Sequence, residues 1–148
     1  MTLSQTQRAV AAILRADPAF AGIEVVAADA GDVFADAARA LAGGCGLAVV
    51  VDTPQWRPRA KSSRIPLGDA TVAVTVAERP AVSRAAAEPR ETGLRLAERA
   101  ACALNLAAVD PASGQVLALD DAGIQSAFDA ETATATHTVA LSTVCTLS

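Results

Sequence analysis

At 148 residues the chain suits one domain, residues 1–148, that can bury about two-thirds of its unfolded surface, so folding requires neither disulfides nor a structural metal. Its apolar residues are mainly Ala, Val and Leu, with three Phe, one Trp and no Tyr, which leaves few aromatic anchors for a ligand pocket. A net charge of −4 argues against a dedicated nucleic-acid binder, and no apolar run approaches the ~20 residues of a membrane span.

Gln5 to Ala16 carries Ala9, Val10, Ile13 and Leu14 at helical spacing, with Ser4 or Thr6 as cap and Asp17-Pro18 as stop. Ile23 to Ala28 reads as a short strand. Val33 to Ala42 forms a second helix, ended by Gly43-Gly44. Leu47 to Val51 is a continuous apolar run, which fits a strand buried on both faces. A long loop from Pro54 to Gly68 follows, with three prolines and no periodicity.

Asp69 to Glu78 alternates, Val72, Val74 and Val76 against Thr71, Ala73, Thr75 and Ala77, and Cys45–Asp52 is its natural antiparallel partner. Pro80 to Pro89 is an irregular link. Arg90 to Ala108 forms the longest helix, with Leu94, Ala97, Ala101, Leu104 and Ala108 inward and Glu91, Arg95 and Arg99 in solvent. Asp110 to Gly114 is a turn and Val116 to Leu119 a short strand. Asp120 to Phe128 fits a helical turn or an extended edge. Thr132 to Cys145 is a long strand with His137, Val139, Leu141 and Cys145 on one face. The expected fold is α+β, in the order α-β-α-β-β-α-β-β, with helices packed on a mostly antiparallel sheet and a long loop inserted in its central hairpin.

No catalytic residues, cofactor or metal site emerge from spacing. His137 is the single histidine and reads as structural, with no nucleophile or orienting carboxylate fixed near it. Gly43-Gly44-Cys45-Gly46 follows a helix and precedes a strand, the reverse of a phosphate-binding loop. Cys45, Cys102 and Cys145 stand far apart in apolar surroundings and are expected to be buried free thiols. The chain reads as a non-enzyme.

Charge is unevenly placed. Residues 57–99 hold nine Lys and Arg against five Asp and Glu, while the remainder is strongly acidic. Opposite patches of this kind suit a molecule that meets copies of itself. The expected contact residues are Trp56, Arg57, Arg59, Lys61 and Arg64 in the loop, with Arg79 and Arg84 beyond it, because Trp and Arg are enriched at interface hot spots. The alternative is a nucleic-acid-binding accessory domain in which loop 54–68 stacks Trp56 on bases and neutralises phosphates. A third reading leaves the loop solvated and Trp56 tucked against the domain.

The run Gly46 to Pro54, the variable basic loop, Thr71 to Pro80, Val82-Ser-Arg84 and Thr92 to Leu104 resembles the tail-completion proteins of bacteriophages and prophages. Val76-Ala-Glu78-Arg-Pro80 through Arg84 is the most specific piece, with Ser83 where that pattern more often has Asn. The resemblance implies a tail terminator-like or head–tail joining subunit that forms a homo-oligomeric, typically hexameric ring. Its implied partners are the phage tail tube and head-connector proteins, with no membrane and only passive DNA contact. Its implied location is the bacterial cytoplasm during assembly and then the virion tail.

Overall fold

The computed structural model describes residues 2–28, 35, 38–39, 41, 45–59, 64–85 and 91–147. Helix α1 (Leu3–Ala16) begins two residues earlier than its apolar stripe suggests. Thr2 is the cap, in a capping box in which the Thr2 hydroxyl accepts from Gln5 N and the Gln5 side chain accepts from Thr2 N. Thr6 is instead buried, with its hydroxyl donating to Thr2 O. The helix ends at Asp17 as expected, and Pro18–Phe20 forms a 3-10 turn.

One six-stranded sheet follows, built from β1 (Glu24–Ala27), β2 (Leu47–Val51), β3 (Gln55–Pro58), β4 (Leu67–Glu78), β7 (Ala118–Asp129) and β8 (Thr134–Thr146). Its path is β1-β2-β4-β8-β7, with β3 pairing β4 beyond the end of β2. All pairings are antiparallel except β1 with β2. β2 pairs β4 antiparallel, as the alternation required, from Leu47↔Glu78 to Val51↔Val74. The fold is therefore α+β, a mixed and mostly antiparallel sheet with three helices packed on it.

The loop after Pro54 holds a strand that its sequence does not announce. β3 lies along the first half of β4, Gln55↔Thr71 to Pro58↔Gly68, because β4 is longer than β2 and offers free ladder groups there. Leu67 to Glu78 pairs on the other side with β8 at every position.

Val72, Val74, Val76, Val139 and Leu141 point from the sheet into one core with Val10, Leu14, Phe20, Leu96, Ala97 and Leu104. Each Val, Leu or Phe side chain among them gains about 1.5–3 kcal/mol on full burial. α1 covers the β1–β2 side, and α3 (Gly93–Leu104) covers β4 and β8. The buried Gln7 fastens α1 to the sheet, since its Nε2 donates to Ala28 O and Val51 O at 2.7 and 3.0 Å. Asp17 accepts from Arg99 at 3.2 Å and ties the end of α1 to α3. On the opposite face Leu41 covers Ala48 and Ala77. Ala35, Ala38, Arg39 and Leu41 are helical; the rest of the expected helix 33–42, and Gly43-Gly44, lie outside the described residues.

α3 is shorter than expected. Thr92 caps it, with its hydroxyl accepting from Arg95 N, and Leu106 at φ 62 has already left the helix. The inward stripe is Leu96, Ala97, Ala100, Ala101 and Leu104; Leu94 is exposed, and Ala108 belongs to β5 (Ala108–Asp110), also exposed. Cys102 falls on the solvent side with Arg95 and Glu98, so of the three free thiols Cys145 alone is buried. Arg95 pairs with Glu98.

The link after β4 opens with a short helix, α2 (Pro80–Ser83). The stretch expected as one strand, Val116 to Leu119, is divided at Leu117 between β6 (Gln115–Val116) and β7, and residues 120–128 are an extended edge. β7 and β8 form a long hairpin whose register shifts between Leu119 and Ile124, where Gly123 takes φ 61.

Candidate assembly surfaces

The basic loop sits at the end of the sheet where Leu67 pairs Thr146. There β3 presents Arg57 to solvent and lays the Trp56 indole over Gly68. A Cβ on Gly68 would stand 2.2 Å from Arg57 O and 2.4 Å from the indole, so this strand approach requires glycine. Trp56 Nε1 donates to Cys145 O at 3.5 Å, and the ring is half-buried. The indole is therefore engaged with the domain, the third of the sequence readings.

Arg59 Nε donates to both Asp69 carboxylate oxygens at 2.8 and 3.0 Å, with Nη2 2.7 Å from Oδ1, and this carboxylate holds the guanidinium pKa above its ordinary value. Arg57 and Arg64 are exposed and carry no ion pair among the described residues. Lys61 lies outside the described residues.

Arg79 and Arg84 do not join this group. They follow the far end of β4, roughly 35 Å away for a strand of this length. There the motif Val76 to Arg84 makes a packing joint. Glu78 is buried, and Ser83 Oγ donates to its Oε2 at 3.0 Å. Arg79 N donates to Gly46 O at 2.8 Å. Gly46 takes φ +78, and a Cβ there would stand 2.7 Å from Ser83 N. A Cβ on Gly93 would reach 3.1 Å from Glu78 Cβ and 3.2 Å from His137 Cδ2, so the start of α3 closes the joint. Arg79 Nε is buried with no hydrogen-bond partner among the described residues, and the Arg79 residue lines a cavity of about 320 Å3 with Ala38, Leu41 and Asp129.

His137 shares a 2.7 Å hydrogen bond between its Nδ1 and Ser126 Oγ on the neighbouring strand. It clamps β7 to β8.

The surface that spacing missed is β7 and its turn. β7 has no buried residue, and Phe128 near its end is 65% exposed. The turn is locked locally: Asp129 Oδ1 accepts from Glu131 N at 2.9 Å, Thr134 Oγ1 donates to Thr132 O, and Ala133 takes φ 50. Asp120, Asp121, Asp129 and Glu131 make this hairpin acidic, and no Lys or Arg follows Arg99 in the chain. The available signal was the spacing of Ile124, Ser126 and Phe128, which continues a strand once a bulge at Asp121–Gly123 is allowed.

Among the described residues no group of three His, Cys, Asp or Glu side chains is placed to hold a metal ion. No helix among them is long and apolar enough to cross a membrane. No protein-family model and no curated protein matches the chain.

Proposed function

We propose that this chain is a structural subunit that assembles with copies of itself into a ring, of the kind that completes a phage or prophage tail tube and meets the head-connector proteins. One observation carries the assembly reading. β7 is a 12-residue strand that, among the described residues, pairs only with β8 and has no buried residue on either face. A long unpaired edge is a template for association unless something covers it, and an exposed aromatic beside it strengthens that pull. The tail-completion class rests on the resemblance in Gly46–Pro54, Thr71–Pro80, Val82–Arg84 and Thr92–Leu104, and the α+β sheet agrees with what that class implies. Such a subunit would act in the bacterial cytoplasm during assembly and then in the virion tail, without catalysis.

Sedimentation velocity over a concentration series at low salt, followed by negative-stain imaging, tests this reading. Rings with a central hole, formed alone or on added tail tubes, are the expected result. A strict monomer in both settings overturns it.

A further inference from the structure

The two outer strands of the sheet path, β1 and β7, are finished differently. On β1 the Val25 carbonyl accepts from Arg15 Nη2 at 2.7 Å, so a side chain of α1 already caps that strand. On β7 Leu119 N is taken in the same way, donating to Asn105 Oδ1 at 3.3 Å, and the register then shifts before Ile124. Ile124 to Asp129 remains, in unbroken register with β8 from Ile124↔Val139 to Asp129↔Thr134 and with no partner on its other side among the described residues. Its sequence, Ile-Gln-Ser-Ala-Phe-Asp, holds no Lys or Pro of the kind that keeps a native edge from pairing with another strand. Its one charge, Asp129, stands at the end.

Ile124, Ser126 and Phe128 share the face of β7 that continues from Val139 on β8. Ile124 is half-buried against the core, whereas Phe128 is 65% exposed. We propose that this edge pairs with the same edge of a second copy, antiparallel about a two-fold axis at Ser126. Residues directly opposite in an antiparallel pair lie on one face of the sheet. The register centred on Ser126 therefore sets Ile124 of each copy against Phe128 of the other, and Gln125 against Ala127 on the reverse face. An aromatic side chain opposite a β-branched one is a favoured cross-strand pair, and strand addition satisfies the open backbone groups of both edges. A second copy is the occupant because the segment is complementary to itself: the exposed ring and the branched side chain it covers stand equally far from the centre. Asp121, Asp129 and Glu131 bring negative charge to both ends of the paired segment, so added salt strengthens the contact. The same surface meets itself, so the contact closes at two copies, and a ring that contains it is built from dimers.

This inference rests on the self-assembly reading and names one of its interfaces. The test measures association of the full chain by sedimentation at low and high salt, with thermal unfolding to check the fold of each variant. Phe128→Ala removes two cross-strand pairs from the dimer and should weaken association about 10-fold. Register is read with a short bis-maleimide in a Cys102→Ser background, since Cys102 is an exposed thiol. Ser126→Cys should cross-link into dimers. Phe128→Cys alone should not, because its two thiols would stand four positions apart along the strands, about 13 Å. Mixed with Ile124→Cys it should cross-link again. If Phe128→Ala associates like the wild type, or Phe128→Cys alone cross-links as well as Ser126→Cys, this pairing is wrong while the ring reading stands. If the wild type stops at dimers, alone and on added tail tubes, the pairing holds and the ring reading falls. If it stays monomeric to about 1 mM at both salt concentrations, both fall.

Discussion

β2 and β7 lie in the same sheet but occupy opposite environments. β2 is buried at all five positions, flanked by β1 and β4, with α1 over one face and Leu41 packed on Ala48 from the other. β7 is flanked by β8 alone among the described residues and fully buries no side chain, with only Ile124 packed partly against the core. The sheet therefore divides into a half that holds the fold together and a half that presents surface. Side-chain chemistry follows the division: Leu-Ala-Val-Val-Val in one strand, and a mixture of Asp, Gln, Ser and Phe in the other. Substitutions in the first half should act on stability, and those in the second on association.

The largest effect belongs in the core. Leu141 is fully buried on β8 beneath α3, and Leu141→Ala should cost about 2–5 kcal/mol in denaturant unfolding, through lost transfer energy and the cavity left behind. A loss under 1 kcal/mol would show that this side of the sheet is not the core half. Next comes the Trp56 joint. Gly68→Ala places a methyl group against the Arg57 carbonyl and the indole, so β3 must shift, at a cost of about 1–3 kcal/mol. Trp fluorescence should move to longer wavelength as the ring is displaced; an unchanged spectrum with unchanged stability would refute the packing.

The core half was legible in the sequence because its signals are local and periodic. The apolar run of β2 and the alternation of Val72, Val74 and Val76 fixed both strands, and their antiparallel pairing followed from proximity. The surface half was harder to read. Gly123 and the register shift after Leu119 interrupt the alternation of β7. β3 exists because β4 outruns β2, a tertiary cause that overrides the low strand propensity of a segment bounded by prolines. Counting charges along the chain merged Arg57, Arg59 and Arg64 with Arg79 and Arg84. The length of β4 separates them, so the basic span is two patches and not one face.

Asp52, at the end of β2, gives a smaller effect that tests how dry the core half is. Its Oδ1 is buried without a partner among the described residues, and burial raises its carboxyl pKa above the ordinary value. The unfolded chain therefore ionises first as pH rises, so this group lowers stability as pH passes from the unfolded pKa up through the folded one, and its cost is complete above that. Asp52→Asn should stabilise the protein by about 1 kcal/mol at neutral pH. The gain should vanish toward pH 3, where the acid is protonated in both states. A gain independent of pH would mean that charge burial is not its source.

The smallest expected change in stability is that of Phe128→Ala. An aromatic ring 65% exposed on an edge strand surrenders little burial, so the unfolding free energy of the dissociated chain should move by no more than about 0.5 kcal/mol. The measurement must be made at a concentration where the wild type is monomeric, because association would itself stabilise the folded state by mass action. Under those conditions Leu141→Ala and Phe128→Ala remove apolar groups from adjacent strands with opposite consequences, one unfolding the chain and the other leaving it folded but less self-associating. If Phe128→Ala instead cost more than about 1.5 kcal/mol in the monomer, the hairpin would belong to the core half and its exposed ring could not be explained by a partner.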